Sequence, residues 1–232
     1  MASTTGELKP FGGFPPQMFD FFKGLEDDNS KAYWTANRDI WEKHVRDPIA
    51  ALMETLEPEF GPLRTFRPNR DVRFSPDKSP YKTWVGVTTS GRAVGGVGHF
   101  VRIDAHGMRV AGGAMVFARD QLVCYRDAIT SPQSAAEFDS IRTTAAACGL
   151  EIGPGKEGTY KRVPSGYDKD DPHEELLRWK GAVIVTEFPH AKWMSSPEAV
   201  DRIREVWVGS TPLVEWIQKH VGASMTPARR RS

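Results

Sequence analysis

The apolar residues of this chain change their period near residue 60, and that change limits the fold more than any other feature. Up to Phe60 they recur at helical spacing: Met18, Phe21, Phe22 and Leu25 follow Pro15-Pro16, and Trp34, Trp41, Val45, Ile49, Leu52, Met53, Leu56 and Phe60 follow an Asn29-Ser30 cap. A stripe at that spacing is one face of a helix packed inward, so both tryptophans are expected in the core. Pro48 lacks an amide hydrogen and crowds the preceding turn, which predicts a kink, or a restart after an Asp47 cap. From Phe66 the period becomes two, with Phe66, Val72 and Phe74 on even positions and Arg67, Asn69, Asp71 and Arg73 on odd ones. Arg70 breaks the alternation by falling on the apolar side, where it needs a carboxylate such as Asp71 or Asp77.

Further strands are expected over Tyr81 to Thr89, Phe100 to Asp104 and Met108 to Phe117, with His106-Gly107 turning the last two into a hairpin. Gly112-Gly113 inside a strand signals a bulge or another element pressed against the backbone, with contact to a ligand as the lesser alternative. Helices follow over Gln121 to Ile129 and, capped by Ser131, over Pro132 to Cys148. An exposed excursion punctuated by Gly153-Pro154-Gly155, Pro164-Ser165-Gly166 and Asp168 to Pro172 leads to a short helix from His173 to Trp179. Ala182 to Val185 reads as a buried strand, and Pro197 and Pro212 are expected to open two C-terminal helices. Helices bracketing a strand-rich middle predict an α+β fold, an antiparallel β-sheet flanked by N-terminal and C-terminal helices. The domain is expected over residues 14–223, with 1–13 and 224–232 as flexible tails.

Chemistry concentrates between residues 67 and 82, in Arg67-Pro68-Asn69-Arg70-Asp71-Val72-Arg73-Phe74-Ser75-Pro76-Asp77-Lys78-Ser79-Pro80-Tyr81-Lys82. Five cations against two acids give this stretch +3, whereas the whole chain carries only +1. Ser75-Pro76-Asp77-Lys78 places proline second in a β-turn, and Pro80 keeps Ser79 extended, so the segment reads as strand, rigid turn, strand. Rigid turns lose less backbone entropy on ordering and suit charged side chains held in fixed places.

Elsewhere composition mainly excludes. No apolar run approaches the ~20 residues that span a bilayer, and the N-terminus lacks the layout of a signal peptide, so a cytoplasmic protein without a membrane partner is expected. Cys124 and Cys148 form neither a CxxC pair nor a disulfide framework and read as buried, reduced thiols. The six histidines make no HExxH, with His99 and His106 expected at strand ends and surface positions the default. Asp168, Asp170 and Asp171 lack the glycine and terminal glutamate of a calcium loop, so no metal is expected. Neither a phosphate-binding loop, a dinucleotide fingerprint nor a nucleophile elbow occurs, so no cofactor is expected.

The RDVRFSPDKSPYK core resembles the signature of a family of bacterial and fungal proteins catalogued as a domain of unknown function. Asn29 and Trp34, the Gly112-Gly113 strand, Arg126-Asp127-Ala128-Ile129 and the segment Pro164 to Lys180 with Tyr167, His173, Glu175, Leu176 and Leu177 extend the resemblance over most of the chain. It implies one intracellular domain and marks the same charged turn, and it implies no reaction.

Three readings of the turn follow. In the first, Arg67, Arg70, Arg73, Lys78 and Lys82 hold a small phosphorylated or carboxylated ligand. In the second, a cofactor-independent acid/base enzyme uses Asp71 or Asp77 as base and Tyr81 as acid, with the arginines opposite developing negative charge. In the third, the charges are a structural ion-pair network in a protein or nucleic-acid interaction module, where Tyr81 would stack on bases and Arg229 to Arg231 would add phosphate contacts.

Overall fold

Pro16 opens α1 (Pro16–Asp27), and this first helix shows how the N-terminal sequence folds. Proline costs nothing at that position because the first amides of a helix have no intrahelical partner. In this computed structural model, which describes residues 10–73, 75–91 and 95–225, α1 buries Met18, Phe19, Phe21, Phe22 and Leu25. Each fully buried side chain of that size contributes about 1.5–3 kcal/mol of transfer free energy. Phe11 is also buried, and the Phe14 amide donates to the Met194 carbonyl at 2.7 Å, so order begins ahead of the helix.

The Ser30 hydroxyl caps α2 (Lys31–Ala36) by accepting from the Tyr33 amide at 3.1 Å. The chain continues through a short α3 (Arg38–Ile40) and a π-helical turn (Trp41–Arg46) into α4 (Asp47–Phe60). The expected disturbance at Pro48 takes this form: the wider π turn lies directly before the proline, where an α-helical carbonyl would meet its ring. Val45, Ile49, Leu52 and Leu56 are buried as the stripe predicts, but Trp34 and Trp41 are only half-buried.

The sheet has six strands: β1 (Arg64–Thr65), β2 (Trp84–Thr88), β3 (Gly98–Asp104), β4 (Gly107–Ala114), β5 (Ile152–Gly153) and β6 (Ala182–Pro189). Their order is β1-β2-β3-β4-β6-β5 in an antiparallel sheet, with Arg64 opposite Thr88 at one end and Ile152 opposite Ile184 at the other. The remaining helices are α5 (Arg119–Thr130), α6 (Pro132–Ala147), α7 (Glu174–Leu177) and α8 (Glu198–His220), so the fold is α+β as expected.

The chain forms two compact units, each assembled from separate stretches. The first takes the chain up to Thr89 with Val101–Arg109 and Glu187–Arg204, and its core joins the apolar face of α1 to Ile49, Leu52, Val87, Ile103 and Met194. The second takes Ser90–Phe100, Val110–Thr186 and the chain from Glu205 onward, and its core holds Tyr125, Ile129, Phe138, Trp207, Leu213 and Trp216. Both indole donors there are satisfied, Trp207 on the Phe100 carbonyl at 3.2 Å and Trp216 on the Ser134 carbonyl at 3.0 Å.

Four expectations are corrected. Pro212 lies inside the continuous helix α8 and does not start a new one. The carbonyl it deprives of an amide partner belongs to Val208, an exposed residue. Cys124 and Cys148 are free thiols but exposed. His99 is buried, and its Nε2 lies 3.2 Å from a Thr211 hydroxyl that itself donates to the Trp207 carbonyl. The strand expected from Phe66 is reduced to a single bridge between Asn69 and Tyr81, β1 ending before it at Thr65, because Pro68 and Pro80 each remove a ladder donor. Phe74, residues 1–9 and 226–232 of the tails, and with them Arg229 to Arg231, lie outside the described residues. Among the described residues, no helix is long and apolar enough to cross a membrane.

Candidate functional site

The charged turn is an irregular hairpin fastened at its base. The Arg70 amide donates to the Pro80 carbonyl and the Lys82 amide to the Pro68 carbonyl, both at 2.8 Å. That pairing turns the Tyr81 amide and carbonyl the other way, where Asn29 meets both. The Asn29 Nδ2 donates to the Tyr81 carbonyl at 3.1 Å, and its Oδ1 accepts from the Tyr81 amide at 3.0 Å. One side chain thus substitutes for a neighbouring strand. The Tyr81 ring, 8 % exposed, stacks on Trp34 with centroids 4.3 Å apart and planes 10° from parallel. Trp34 also meets Trp41 and Phe21, so this half-buried aromatic group is a platform beneath the turn.

Even-numbered side chains turn inward and odd-numbered ones outward, as the alternation predicts: Arg67, Asn69, Asp71 and Arg73 are exposed, while Phe66, Arg70 and Val72 are half-buried. Arg70, its side chain 30 % exposed, finds its carboxylate in Asp77 through Nη1. Asp77 also accepts from the Ser79 amide at 2.9 Å and the Ser79 hydroxyl at 2.6 Å, which ties the turn together. These hydrogen bonds, Ser79 foremost and Arg70 next, hold the Asp77 pKa far below the ordinary carboxylate range. Asp71 grips Arg73 with both oxygens, at 3.0 Å from Nε and 2.8 Å from Nη2, and that grip lowers its pKa to about 2. Carboxylates so strongly committed to their anionic form are poor proton acceptors at neutral pH.

Arg70 and Lys82 are the two members of the proposed cation set that line a cleft of about 520 Å³. Its wall also includes Glu26, Asn29, Asp71, Asp77, Ser79, Tyr81, Thr83 and Trp84. The Lys82 ammonium donates to the carbonyls of Arg67 at 2.5 Å and Asn69 at 2.7 Å, and sits 5.8 Å from the Trp84 ring centre. Burial, then the positive charges of Arg67 and Arg70, lower its pKa. Arg73, 69 % exposed, lies outside this lining, clasped by Asp71. Lys78 is exposed and donates to the Val72 carbonyl at 3.1 Å. Arg67 points outward yet is near enough to repel Lys82.

The sequence reading did not assign Asn29 or Thr83 to the site. Asn29 was legible as a helix cap and as part of the family resemblance but not as a partner of Tyr81, because a contact across 52 residues leaves no local pattern. The segment Tyr167 to Lys180 belongs to the second unit, where the Tyr167 hydroxyl donates to Asp127 at 2.9 Å and His173 Nε2 lies 2.8 Å from Asp139. That unit also carries an open groove of about 710 Å³ with Asp139, Arg142, Thr143 and Glu151 on its polar wall. No group of histidine, cysteine and carboxylate side chains among the described residues is arranged to hold a metal ion.

No curated protein and no solved structure matches the chain. A family model does match, over residues 17–216, which takes in all of α1 but its first residue, the charged turn, the sheet and most of α8. The chain therefore belongs to the conserved hypothetical protein family DUF2461.

Proposed function

We propose that the cleft beside the charged turn binds a small phosphorylated or carboxylated ligand, with Lys82 as its counter-ion and Arg70 as a forked donor. The observation that carries this reading is the unequal state of the charges around the cleft. Each acid there already has an internal partner: Asp77 has Arg70 and Ser79, Asp71 has Arg73, and Glu26 lies 3.1 Å from His106. Lys82 contacts only carbonyls and an aromatic ring among the described residues, and Arg67 and Arg70 add positive potential to it. A half-buried ammonium without a carboxylate is the group that gains most from an incoming anion. Arg70 spends Nη1 on Asp77, which leaves Nε and Nη2 of its fork for a ligand oxygen.

The acid/base reading is weaker on the same geometry, because both candidate bases are held ionised by their partners. Nucleic-acid binding would need phosphate contacts along an extended surface, and the cleft instead converges on one ammonium. We place the protein in the cytoplasm, since two exposed free thiols suit a reducing compartment.

The test is a thermal-shift panel of sugar phosphates, nucleotides, organic acids and short oligonucleotides on wild type, Lys82→Met and Arg73→Ala at low and moderate salt. One class of small anion should raise the wild-type midpoint, with about 2.7 kcal/mol of stabilisation at a hundredfold excess over Kd. The shift should vanish in Lys82→Met and largely persist in Arg73→Ala. A shift retained in Lys82→Met, or oligonucleotide shifts erased by salt, would overturn the reading.

A further inference from the structure

The second unit buries a positive charge that forms no ion pair among the described residues. Arg126, on α5, is 8 % exposed. Its Nε donates to the Leu177 carbonyl at 3.0 Å, while its Nη2 is buried with no hydrogen-bond partner. Two tyrosine rings flank the guanidinium, with centroids 5.3 Å away for Tyr160 and 5.9 Å for Tyr167. The Lys180 ammonium stands 4.8 Å from the centre of the same Tyr160 ring. Both cations therefore lie within about 10 Å of each other, and neither forms an ion pair among the described residues.

The surrounding backbone makes this a built arrangement. Thr159 and Trp179 form a β-bridge, flanked by the Tyr160 amide on the Arg178 carbonyl at 2.7 Å and the Lys180 amide on the Gly158 carbonyl at 3.1 Å. The bridge sets Tyr160 and Lys180 side by side, and the Tyr167 hydroxyl, donating to Asp127 at 2.9 Å, fastens the other ring. Asp127 is exposed and one of its oxygens accepts from that hydroxyl, and among the described residues it forms no ion pair with Arg126. A guanidinium buried without a counter-charge is costly, and aromatic faces offset only part of that cost.

We propose that Arg126 and Lys180 form a second anion site that takes a phosphoryl group, whose two negative charges match the two unanswered positive ones. The Arg126 Nη2 supplies a fixed donor, Lys180 supplies an adjustable one, and Tyr160 and Tyr167 provide ring surface for an organic group on the phosphate. The site lies wholly in the second unit and stands independently of the Lys82 cleft.

The experiment uses full-length protein carrying Lys82→Met, so that the first cleft does not contribute. Inorganic phosphate and phenyl phosphate are titrated at constant ionic strength by calorimetry and by phosphorus NMR. Saturable one-to-one binding is expected, weakened at least about tenfold by adding Lys180→Gln. Lys180 makes no side-chain hydrogen bond or ion pair among the described residues, so Lys180→Gln should leave the circular dichroism and melting curve unchanged. Arg126→Lys, which keeps the charge and removes the fork, should weaken binding as well. Tighter binding of phenyl phosphate would identify an organic monoester as the ligand, and equal binding would identify free phosphate; both support the site. Absence of saturable binding, or an affinity that Lys180→Gln leaves unchanged, overturns it.

Discussion

Tyr81 links the sequence motif to the rest of the first unit through two different atoms sets, backbone toward Asn29 and ring toward Trp34. Asn29→Ala removes both partners of a largely buried peptide group and leaves its amide and carbonyl unpaired. The expected loss is about 2 kcal/mol, read as a lowered urea midpoint at unchanged slope. Because Tyr81 precedes Lys82, the same variant should weaken anion binding at the cleft, while Asn29→Asp, which keeps only the acceptor, should fall between. A midpoint equal to wild type in Asn29→Ala would mean that the hairpin stands without this tie. At this scale the alternation of side chains was legible: it put Arg70 inward and in need of a carboxylate, and Asp77 answers it. The fate of Arg73 was not legible, because its grip by Asp71 depends on a local backbone turn that exposure patterns do not encode.

Among the elements, β4 depends most visibly on residue size. A Cβ on Gly112 would come within 2.0 Å of the Ser210 hydroxyl and 3.2 Å of the His99 ring, so α8 is pressed against bare backbone there. The double glycine in the sequence signals such an approach, although not which element makes it. Gly112→Ala should destabilise by about 1–3 kcal/mol, since the new Cβ would also lie 2.5 Å from the Ser210 Cβ, which no rotamer change moves, so α8 must shift away. Restoring room with Ser210→Gly should recover part of that loss in a double-mutant cycle, and strictly additive effects would deny the contact. The same α8 shows where proline signals fail. Pro212 is a helix breaker by propensity, yet burial of Trp207, Leu213, Trp216 and Ile217 keeps the helix continuous across it.

For the molecule as a whole, acid stability is where buried chemistry becomes measurable. Burial lowers the His99 pKa to about 4, whereas a histidine in the unfolded chain titrates near 6.5. Between those values the unfolded chain binds the proton and the folded chain does not, so the stability present above pH ~6.5 is lost as pH falls toward 4. About 2 kcal/mol should disappear between pH 7 and pH 5 in wild type, and His99→Gln should remove that part of the slope. Asp71 does not interfere, because its pKa is about 2 when folded and near 3.9 when unfolded, so its contribution persists at pH 5 and is lost only below about pH 4. Urea midpoints of both proteins at the two pH values decide it, and parallel slopes would mean that His99 is not held neutral by the fold.

The α+β class, the family, most of the helices, the strands β2, β3, β4 and β6, and the position and inward or outward phase of the charged turn were legible in the chain. These follow from the spacing of apolar residues, from prolines and glycines, and from local charge, all of which act over a few residues. Three-dimensional packing decided that Trp34 and Trp41 form a half-buried platform, that Cys124 and Cys148 are exposed, that His99 is buried, and that Lys82 and Arg126 have no carboxylate partner among the described residues. Each of those outcomes depends on which distant groups share a volume. Desolvation and charge pairing are set by that volume, and periodicity along a chain does not record it.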